Sequence, residues 1–154
     1  MMNLCCDVIQ TLQGKTLVSA ESLTGGGIGA ALTSVSGASA VYKGGIISYT
    51  NEVKHRLLGV PEEILHQYGA VSEPVAKAMA EGARKLLEAD IAVSVTGLAG
   101  PGGDDYGNPV GTVFIGYSDA DSTVAKHCRF SGDRESIRHQ TIETALQLIL
   151  DMQK

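Results

Sequence analysis

Cysteine is scarce in this sequence. Only three cysteines occur among the 154 residues, two of them adjacent. Three cysteines do not make a disulfide framework, and no two of them have the C-x-x-C spacing of a redox or metal-binding pair. We therefore expect reduced thiols and a cytoplasmic location.

Positive charge and long apolar runs are also lacking. The 12 Lys and Arg against 17 Asp and Glu give a net charge of −5, which argues against a nucleic-acid partner. No apolar run is long enough to span a bilayer, and no basic segment with an apolar core opens the chain, so we expect no membrane partner. A hydrophobic content of 44% over 154 residues is typical of one ordinary globular domain, here residues 1–154.

Several motifs of nucleotide and hydrolase chemistry are incomplete. The tripeptide Gly14-Lys15-Thr16 resembles the end of a P-loop, but it lacks the leading glycine and precedes a strand. The run Gly25–Ala30 nearly matches a dinucleotide fingerprint, but no acidic residue follows about 20 positions later. No G-x-S-x-G or S-x-x-K motif occurs, and the four histidines lack metal-ligand spacing. We expect neither a metal nor a cofactor.

Helical and strand patterns alternate along the chain. Apolar residues at helical spacing predict helices over 3–13, 25–34, 52–58, 73–87 and 134–152, with a short helical turn after Pro61. β-Branched apolar runs predict strands over 16–20, 45–49, 91–95, 111–117 and 123–130, the last two as a hairpin. This order predicts an α/β fold: one three-layer α/β/α domain with a mixed, mostly parallel five-stranded sheet.

Polar residues follow three of these strands. Ser22 and Thr24 stand between the strand over 16–20 and the glycines Gly25 and Gly26, where a helix begins. A helix N-terminus offers unpaired N–H groups and partial positive charge, so it suits an anion. Sites in such folds lie beyond the carboxyl ends of the strands, which here also include 49–51 and 96–98.

Lys54 is the least expected residue near these strand ends. With Asn51 as N-cap, Lys54 lies in the first turn of a helix, where the helix dipole and desolvation lower the pKa of a lysine. Tyr49 ends the preceding strand and can point into the same crevice. Ser22, Lys54 and Tyr49 are the parts of a serine nucleophile that works without histidine. The spacing alone favours a solvated surface lysine and a packed tyrosine.

Together these residues resemble a known family. The sequence is similar to the C-terminal domain of the competence-damage protein CinA and to its stand-alone relatives, the PncC nicotinamide-nucleotide amidohydrolases. The matching stretches are AESLTGG (20–26), YTNEVK (49–54), YGAVS (68–72), TGLAGPGG (96–103), PVGTV (109–113) and FSGDR (130–134). Leu23 fills a position where many relatives carry cysteine.

The resemblance implies a reaction and a set of site residues. The reaction is hydrolysis of the carboxamide of nicotinamide mononucleotide (NMN) to nicotinate mononucleotide and ammonia, in pyridine-nucleotide salvage. Ser22 would be the nucleophile, assisted by Tyr49 and Lys54, and N–H groups at 24–26 or near Gly97 would stabilise the oxyanion. The substrate-binding candidates, some of them for the phosphate, are Thr24, Gly25, Gly26, Asn51, Thr96, Gly97, Gly100, Arg134 and Arg138.

The resemblance also leaves an alternative function. Many relatives carry this domain behind a second, nucleotide-hydrolysing domain, so the chain could be a catalytically idle nucleotide-binding or assembly domain of the CinA type. The intact Ser22, Tyr49 and Lys54 favour the enzyme. Because relatives often self-associate, we also expect a homo-oligomer.

Overall fold

In a computed structural model that describes residues 1–154, five strands form one sheet. The strands are β1 (Leu17–Glu21), β2 (Tyr42–Ile47), β3 (Ile91–Gly97), β4 (Thr112–Ser118) and β5 (Thr123–Arg129). They lie in the order β2-β1-β3-β4-β5, with β1 parallel to β2 and β3, and β4 antiparallel to β3 and β5. All strands except β4 therefore run in one direction, which confirms the predicted mixed, mostly parallel sheet and its hairpin.

Helices cover both faces of the sheet. They are α1 (Met2–Thr11), α2 (Gly27–Thr33), α3 (Asn51–Leu58), α4 (Glu62–Tyr68), α5 (Glu73–Leu86) and α6 (Arg134–Asp151), with a 3-10 turn at Ala38–Ala40. Helices α1, α2 and α6 pack on one face, and α3, α4 and α5 on the other. This arrangement confirms the three-layer prediction. None of the helices has both the length and the apolar character needed to span a bilayer.

The sheet divides the hydrophobic core in two, because successive side chains of a strand point to opposite faces. A cluster of 22 buried residues, including Leu17 and Val93, lies between the sheet and helices α1, α2 and α6. A second cluster of 11, including Val18 and Ala92, lies on the opposite face. Strand β1 is buried along its whole length, as expected for a central strand covered on both faces. Its carboxyl end is therefore held firmly in place.

The predicted boundaries of β2 and α2 are wrong. Strand β2 covers Tyr42–Ile47 and not 45–49, because this edge strand alternates between half-buried and exposed residues and lacks a continuous apolar run. Helix α2 begins at Gly27 and not at residue 25. Gly25 and Gly26 have φ angles of 57° and 100°, which are left-handed conformations that a right-handed helix excludes.

The predicted N-cap of α3 is also wrong. The cap is Thr50, whose backbone is extended and whose hydroxyl accepts a hydrogen bond from the Val53 N–H at 3.3 Å. Asn51 is instead the first residue of the helix. Lys54 keeps its expected place near the beginning of the helix.

Parallel pairing brings the carboxyl ends of β1, β2 and β3 to one edge of the sheet. Ser22 follows β1, Ser48 follows β2, and Leu98 follows β3. The Ser22 N–H donates to the Val95 carbonyl at 3.1 Å, and the Ser48 N–H donates to the Glu21 carbonyl at 2.7 Å. These bonds hold the strand ends next to one another.

Helix α3, which carries Lys54, is seated closely on α5. A Cβ atom on Gly82 would overlap the carbonyl of Leu58, the last residue of α3. We expect Gly82→Ala to lower the free energy of unfolding by about 1–3 kcal/mol, because the backbone at Leu58 must move to admit the new Cβ atom. This loss should exceed the gain from the higher helix propensity of alanine.

Urea denaturation measures this effect. The control is Gly102→Ala, where a Cβ would meet no atom within 4 Å. The control should change stability by no more than about 0.5 kcal/mol. Equal stability of the two variants would contradict the close seating of α3.

Candidate active site

Ser22 lies at the first residue beyond β1, in a tight turn. Its N–H is bonded to Val95, and its carbonyl accepts from the Gly25 N–H at 3.1 Å. The left-handed conformations of Gly25 and Gly26 let the chain reverse into α2 without the strain of a side chain. Ser22 is 7% exposed, so the residue is largely shielded from water.

Lys54 contacts the Ser22 hydroxyl. Its Nζ lies 3.0 Å from Ser22 Oγ, 2.8 Å from the Ser48 carbonyl oxygen and 3.3 Å from the Tyr49 carbonyl oxygen. Lys54 is 1% exposed and forms no ion pair with a carboxylate. Burial lowers its pKa from 10.5 to about 8. The interpretation of Lys54 as a solvated surface residue is therefore wrong.

Charged Lys54 has three N–H donors and donates one to each of these oxygens. Once it loses a proton, it keeps two N–H donors and gains a lone pair. The carbonyl oxygens of Ser48 and Tyr49 can only accept, so they retain the two N–H groups and the lone pair faces the Ser22 hydroxyl. With a pKa of about 8, about one-tenth of Lys54 is neutral at pH 7. The neutral amine of Lys54 is therefore placed to accept the Ser22 proton, a task for which no histidine is needed.

The Tyr49 side chain lies at the rim. It is 60% exposed, so the interpretation of a packed tyrosine is wrong. Its hydroxyl accepts a hydrogen bond from Arg134 Nη2 at 3.3 Å, and only its backbone carbonyl contacts Lys54. Direct assistance of Ser22 by the Tyr49 phenol stays a prediction, whereas the contact between Lys54 and Ser22 is present.

A buried carboxylate, Glu21, organises the turn that carries Ser22. Its oxygens accept from the Thr24 hydroxyl at 2.6 Å, the Ile28 N–H at 2.8 Å, the Gly29 N–H at 3.1 Å and the Ser19 hydroxyl at 3.3 Å. The N-terminus of α2, which we expected to receive a substrate anion, is thus already paired within the protein. Sequence reasoning missed Glu21. An acidic residue just before a helix start was the available signal.

Three backbone N–H groups of the turn form no hydrogen bond within the protein. Those of Leu23, Thr24 and Gly26 donate to no protein atom. Beyond β3, the Leu98 N–H donates to the Thr112 carbonyl at 2.9 Å, but those of Ala99 and Gly100 donate to no protein atom. Both predicted oxyanion regions therefore have N–H groups available to a developing negative charge.

Arg138 supports the same turn from α6. Its Nε donates to the Leu23 carbonyl at 2.9 Å, and its Nη2 donates to the Thr24 carbonyl at 3.2 Å. These two bonds hold the half-buried guanidinium against backbone. Arg138 thus contributes to the shape of the turn.

Arg134 lies at the mouth of the site. Its exposed guanidinium donates from Nη1 to the Gly100 carbonyl at 2.7 Å and from Nη2 to the Tyr49 hydroxyl. It therefore joins the beginning of α6 to the loops after β2 and β3. Its remaining N–H groups are available to an anion.

The remaining predicted residues lie around these strand ends. The buried Thr96 hydroxyl donates to the Ala70 carbonyl at 2.8 Å, and Gly97 packs against Val113 with no room for a Cβ. Asn51 is exposed and, with Leu98, lines a hollow of about 310 Å³ beside the loop after β3. In this structure Thr96 and Gly97 shape the site, and Asn51 borders open space.

Comparison with known families decides the relationship. The model of the CinA C-terminal domain matches residues 3–153. The chain belongs to the CinA C-terminal domain family. This confirms the resemblance carried by the motifs around Ser22, Tyr49 and Lys54.

The chain is similar both to proteins of about its own length and to proteins about three times as long. The nicotinamide-nucleotide amidohydrolase PncC of Escherichia coli K12 is 44% identical over 153 residues, which cover 97% of this chain and 92% of that protein. A CinA-like protein of Parasynechococcus marenigrum is 52% identical over 136 residues, covering 86% of this chain and 32% of that protein. The chain thus spans about a third of the length of the CinA-like relatives.

Solved structures of the family have the same fold. A CinA superfamily protein from Escherichia coli has a TM-score of 0.96 at 33% identity, covering 98% of this chain and 89% of that chain. A competence/damage inducible protein from Agrobacterium tumefaciens has a TM-score of 0.95 at 38% identity, covering 99% and 95%. The layered sheet described above is therefore the fold of the family.

The burial of Lys54 makes stability depend on pH. Between pH 8 and 10.5 the folded chain has lost the Lys54 proton, whereas the unfolded chain still binds it. The free energy of unfolding should therefore rise with pH in this window, by up to about 1.4 kcal/mol per pH unit, and this contribution should be flat below it.

Comparison with Lys54→Met isolates the contribution. Other groups titrate equally in both proteins, so the difference in unfolding free energy between wild type and variant reports Lys54 alone. In urea unfolding, we expect the unfolding free energy of wild type to rise relative to that of the variant from pH 8 upward. A difference that stays constant through this window would mean that Lys54 is solvated.

Proposed function

We propose that the chain is an amidohydrolase that converts NMN to nicotinate mononucleotide and ammonia in pyridine-nucleotide salvage. The observation that carries the proposal is the buried contact of 3.0 Å between Lys54 Nζ and Ser22 Oγ. Support for the substrate comes from the PncC relative, whose name states this activity and which matches this chain over nearly its whole length.

The first half of the reaction forms an acyl-enzyme. Neutral Lys54 takes the proton of Ser22 as Oγ attacks the carbon of the substrate carboxamide. The tetrahedral intermediate then breaks its C–N bond, and the ammonium group of Lys54 returns the proton to the departing nitrogen, which leaves as ammonia. Ser22 now carries the nicotinoyl group as an ester.

The second half releases the acid. Lys54, neutral again, takes a proton from a water molecule that attacks the ester carbon. The C–Oγ bond breaks, and the same proton returns to Ser22. In sum, one amide and one water become one carboxylic acid and one ammonia.

Negative charge develops on the carbonyl oxygen of both intermediates. The N–H groups of Leu23, Thr24 and Gly26 are candidates to receive it, since no protein atom uses them. One such donor contributes about 3 kcal/mol to a transition state. Because Arg138 and Glu21 hold this turn in place, the donors do not need to reorganise during the reaction.

The substrate phosphate needs a second anion site, for which we propose Arg134. Its guanidinium is exposed at the mouth and keeps free N–H groups beside Tyr49. A planar guanidinium with parallel donors suits a phosphate. Arg138 is the weaker candidate because Leu23 and Thr24 already occupy it.

Ammonia release from NMN tests the reaction. Wild type should release ammonia and nicotinate mononucleotide, and Ser22→Ala should lower kcat by about 1,000-fold or more, because the acyl-enzyme cannot form. Ser94→Ala is the matched control. Its buried hydroxyl donates to the Ala76 carbonyl on the far side of the sheet from the turn, so activity should be kept.

Two outcomes would contradict the proposal. Wild type that binds NMN but releases no ammonia would support the idle nucleotide-binding domain. Full activity of Ser22→Ala would leave an amidohydrolase but remove Ser22 as its nucleophile.

Variants of Arg134 and Arg138 should affect different kinetic constants. Arg134→Gln should raise the KM for NMN by about tenfold with little change in kcat, because it removes one charged hydrogen bond to phosphate. Arg138→Gln should instead lower kcat, since it loosens the turn of Ser22. Steady-state kinetics measure both effects.

Nicotinamide riboside, which lacks the phosphate, is the control substrate. Arg134→Gln should not change the kinetics of its hydrolysis. An equal loss on NMN and on the riboside would show that Arg134 acts through Tyr49 or Gly100 and not on the phosphate.

A further inference from the structure

Glu21 takes part in none of the proton transfers of the proposed reaction, yet this residue is the most heavily bonded acid of the site. It is 2% exposed and forms no ion pair, so hydrogen bonds alone satisfy its two side-chain oxygens. One carboxylate oxygen accepts from the Thr24 hydroxyl and the Ile28 N–H, and the other accepts from the Gly29 N–H and the Ser19 hydroxyl.

These bonds close the turn that presents Ser22. Thr24 and Ile28 lie two and six residues beyond Ser22, so a single carboxylate oxygen fixes both the middle of the turn and the beginning of α2. The Thr24 bond, at 2.6 Å, is the shortest of the four. The position of Ser22 Oγ therefore depends on a group that does not touch it.

The backbone of Glu21 reaches the lysine side of the site as well. Its carbonyl accepts from the Ser48 N–H at 2.7 Å and from the Ser48 hydroxyl at 3.3 Å. The Ser48 carbonyl in turn accepts from Lys54 Nζ at 2.8 Å. Glu21 thus stands between the nucleophile and its base: it directly precedes Ser22 in the chain and is connected to Lys54 through Ser48.

We propose that Glu21 is a positioning residue that sets the Ser22 hydroxyl against the lone pair of Lys54. This inference rests on the proposed function in taking Ser22 as the nucleophile. The role needs an acceptor on both side-chain oxygens. A glutamine has the same shape, but its amide nitrogen is a donor and would face the Gly29 N–H or the Ile28 N–H.

Glu21→Gln tests the role by two readouts. In NMN hydrolysis, kcat should fall by about 30- to 100-fold while KM stays within about threefold, because a small misplacement of the nucleophile affects the transition state and not binding. The second readout is labelling by a fluorophosphonate probe, in which Ser22 Oγ attacks phosphorus, fluoride leaves and Lys54 takes the proton. Labelling should slow by a similar factor.

The controls separate positioning from folding. Ser94→Ala also removes one buried hydrogen bond, and it should be labelled at the wild-type rate. Thermal unfolding shows whether Glu21→Gln is folded at the assay temperature. A folded Glu21→Gln that is labelled at the wild-type rate overturns the proposal.

A second pair of variants decides the question if Glu21→Gln does not fold. Thr24→Val removes the shortest bond to the carboxylate, and Thr24→Ser keeps it. Slower labelling of the valine variant, with recovery in the serine variant, supports the proposal, and equal rates overturn it. Labelling needs no substrate, so a failure of NMN hydrolysis would count against the proposed substrate and leave this comparison intact.

Discussion

The site depends on one constraint: an amine is held out of water beside a hydroxyl. Burial lowers the pKa of Lys54 to about 8, and no carboxylate counters this shift. An aspartate or glutamate within ion-pairing distance would keep the lysine charged and remove its lone pair. Two backbone carbonyl oxygens instead satisfy its N–H groups, and both belong to the chain segment that connects β2 to α3. In the proposed reaction, the reactivity of Ser22 is thus set by what surrounds Lys54.

This constraint is met by the topology of the sheet. Because β1 is central and parallel to β2, the residues after these two strands are neighbours at one edge. Helix α3, which begins at that edge, carries Lys54. Its last residue, Leu58, packs against Gly82 of α5, and the lack of a side chain on Gly82 lets the two helices approach closely. A serine and a lysine 32 positions apart in sequence meet in this way. A looser seat for α3 would admit water and restore the ordinary basicity of the lysine.

The sequence predicted the layers, the strand order along the chain and the edge of the sheet where the site lies, because these follow from apolar periodicity and from the rules of parallel connections. It did not predict the surroundings of individual polar residues. The spacing alone favoured a solvated position for Lys54, although it is buried, and a packed position for Tyr49, although it is exposed. Thr50 caps α3 in place of Asn51, since both residue types are good caps and only the backbone conformation distinguishes them. Glu21 was missed because the pairing of its carboxylate depends on how the turn folds.

The electrostatics of Lys54 also bear on the choice between an enzyme and an idle binding domain. Lowering a pKa from 10.5 to about 8 corresponds to about 3 kcal/mol of preference for the neutral amine over the charged one. At neutral pH most Lys54 is protonated, so this burial reduces the stability of the folded chain. A domain that only bound a nucleotide would gain from a charged lysine directed at the phosphate. Here the amine points to a serine hydroxyl and two carbonyl oxygens, an arrangement that suits proton transfer better than anion binding. The proposed catalytic role of Lys54 therefore accounts for this cost in stability.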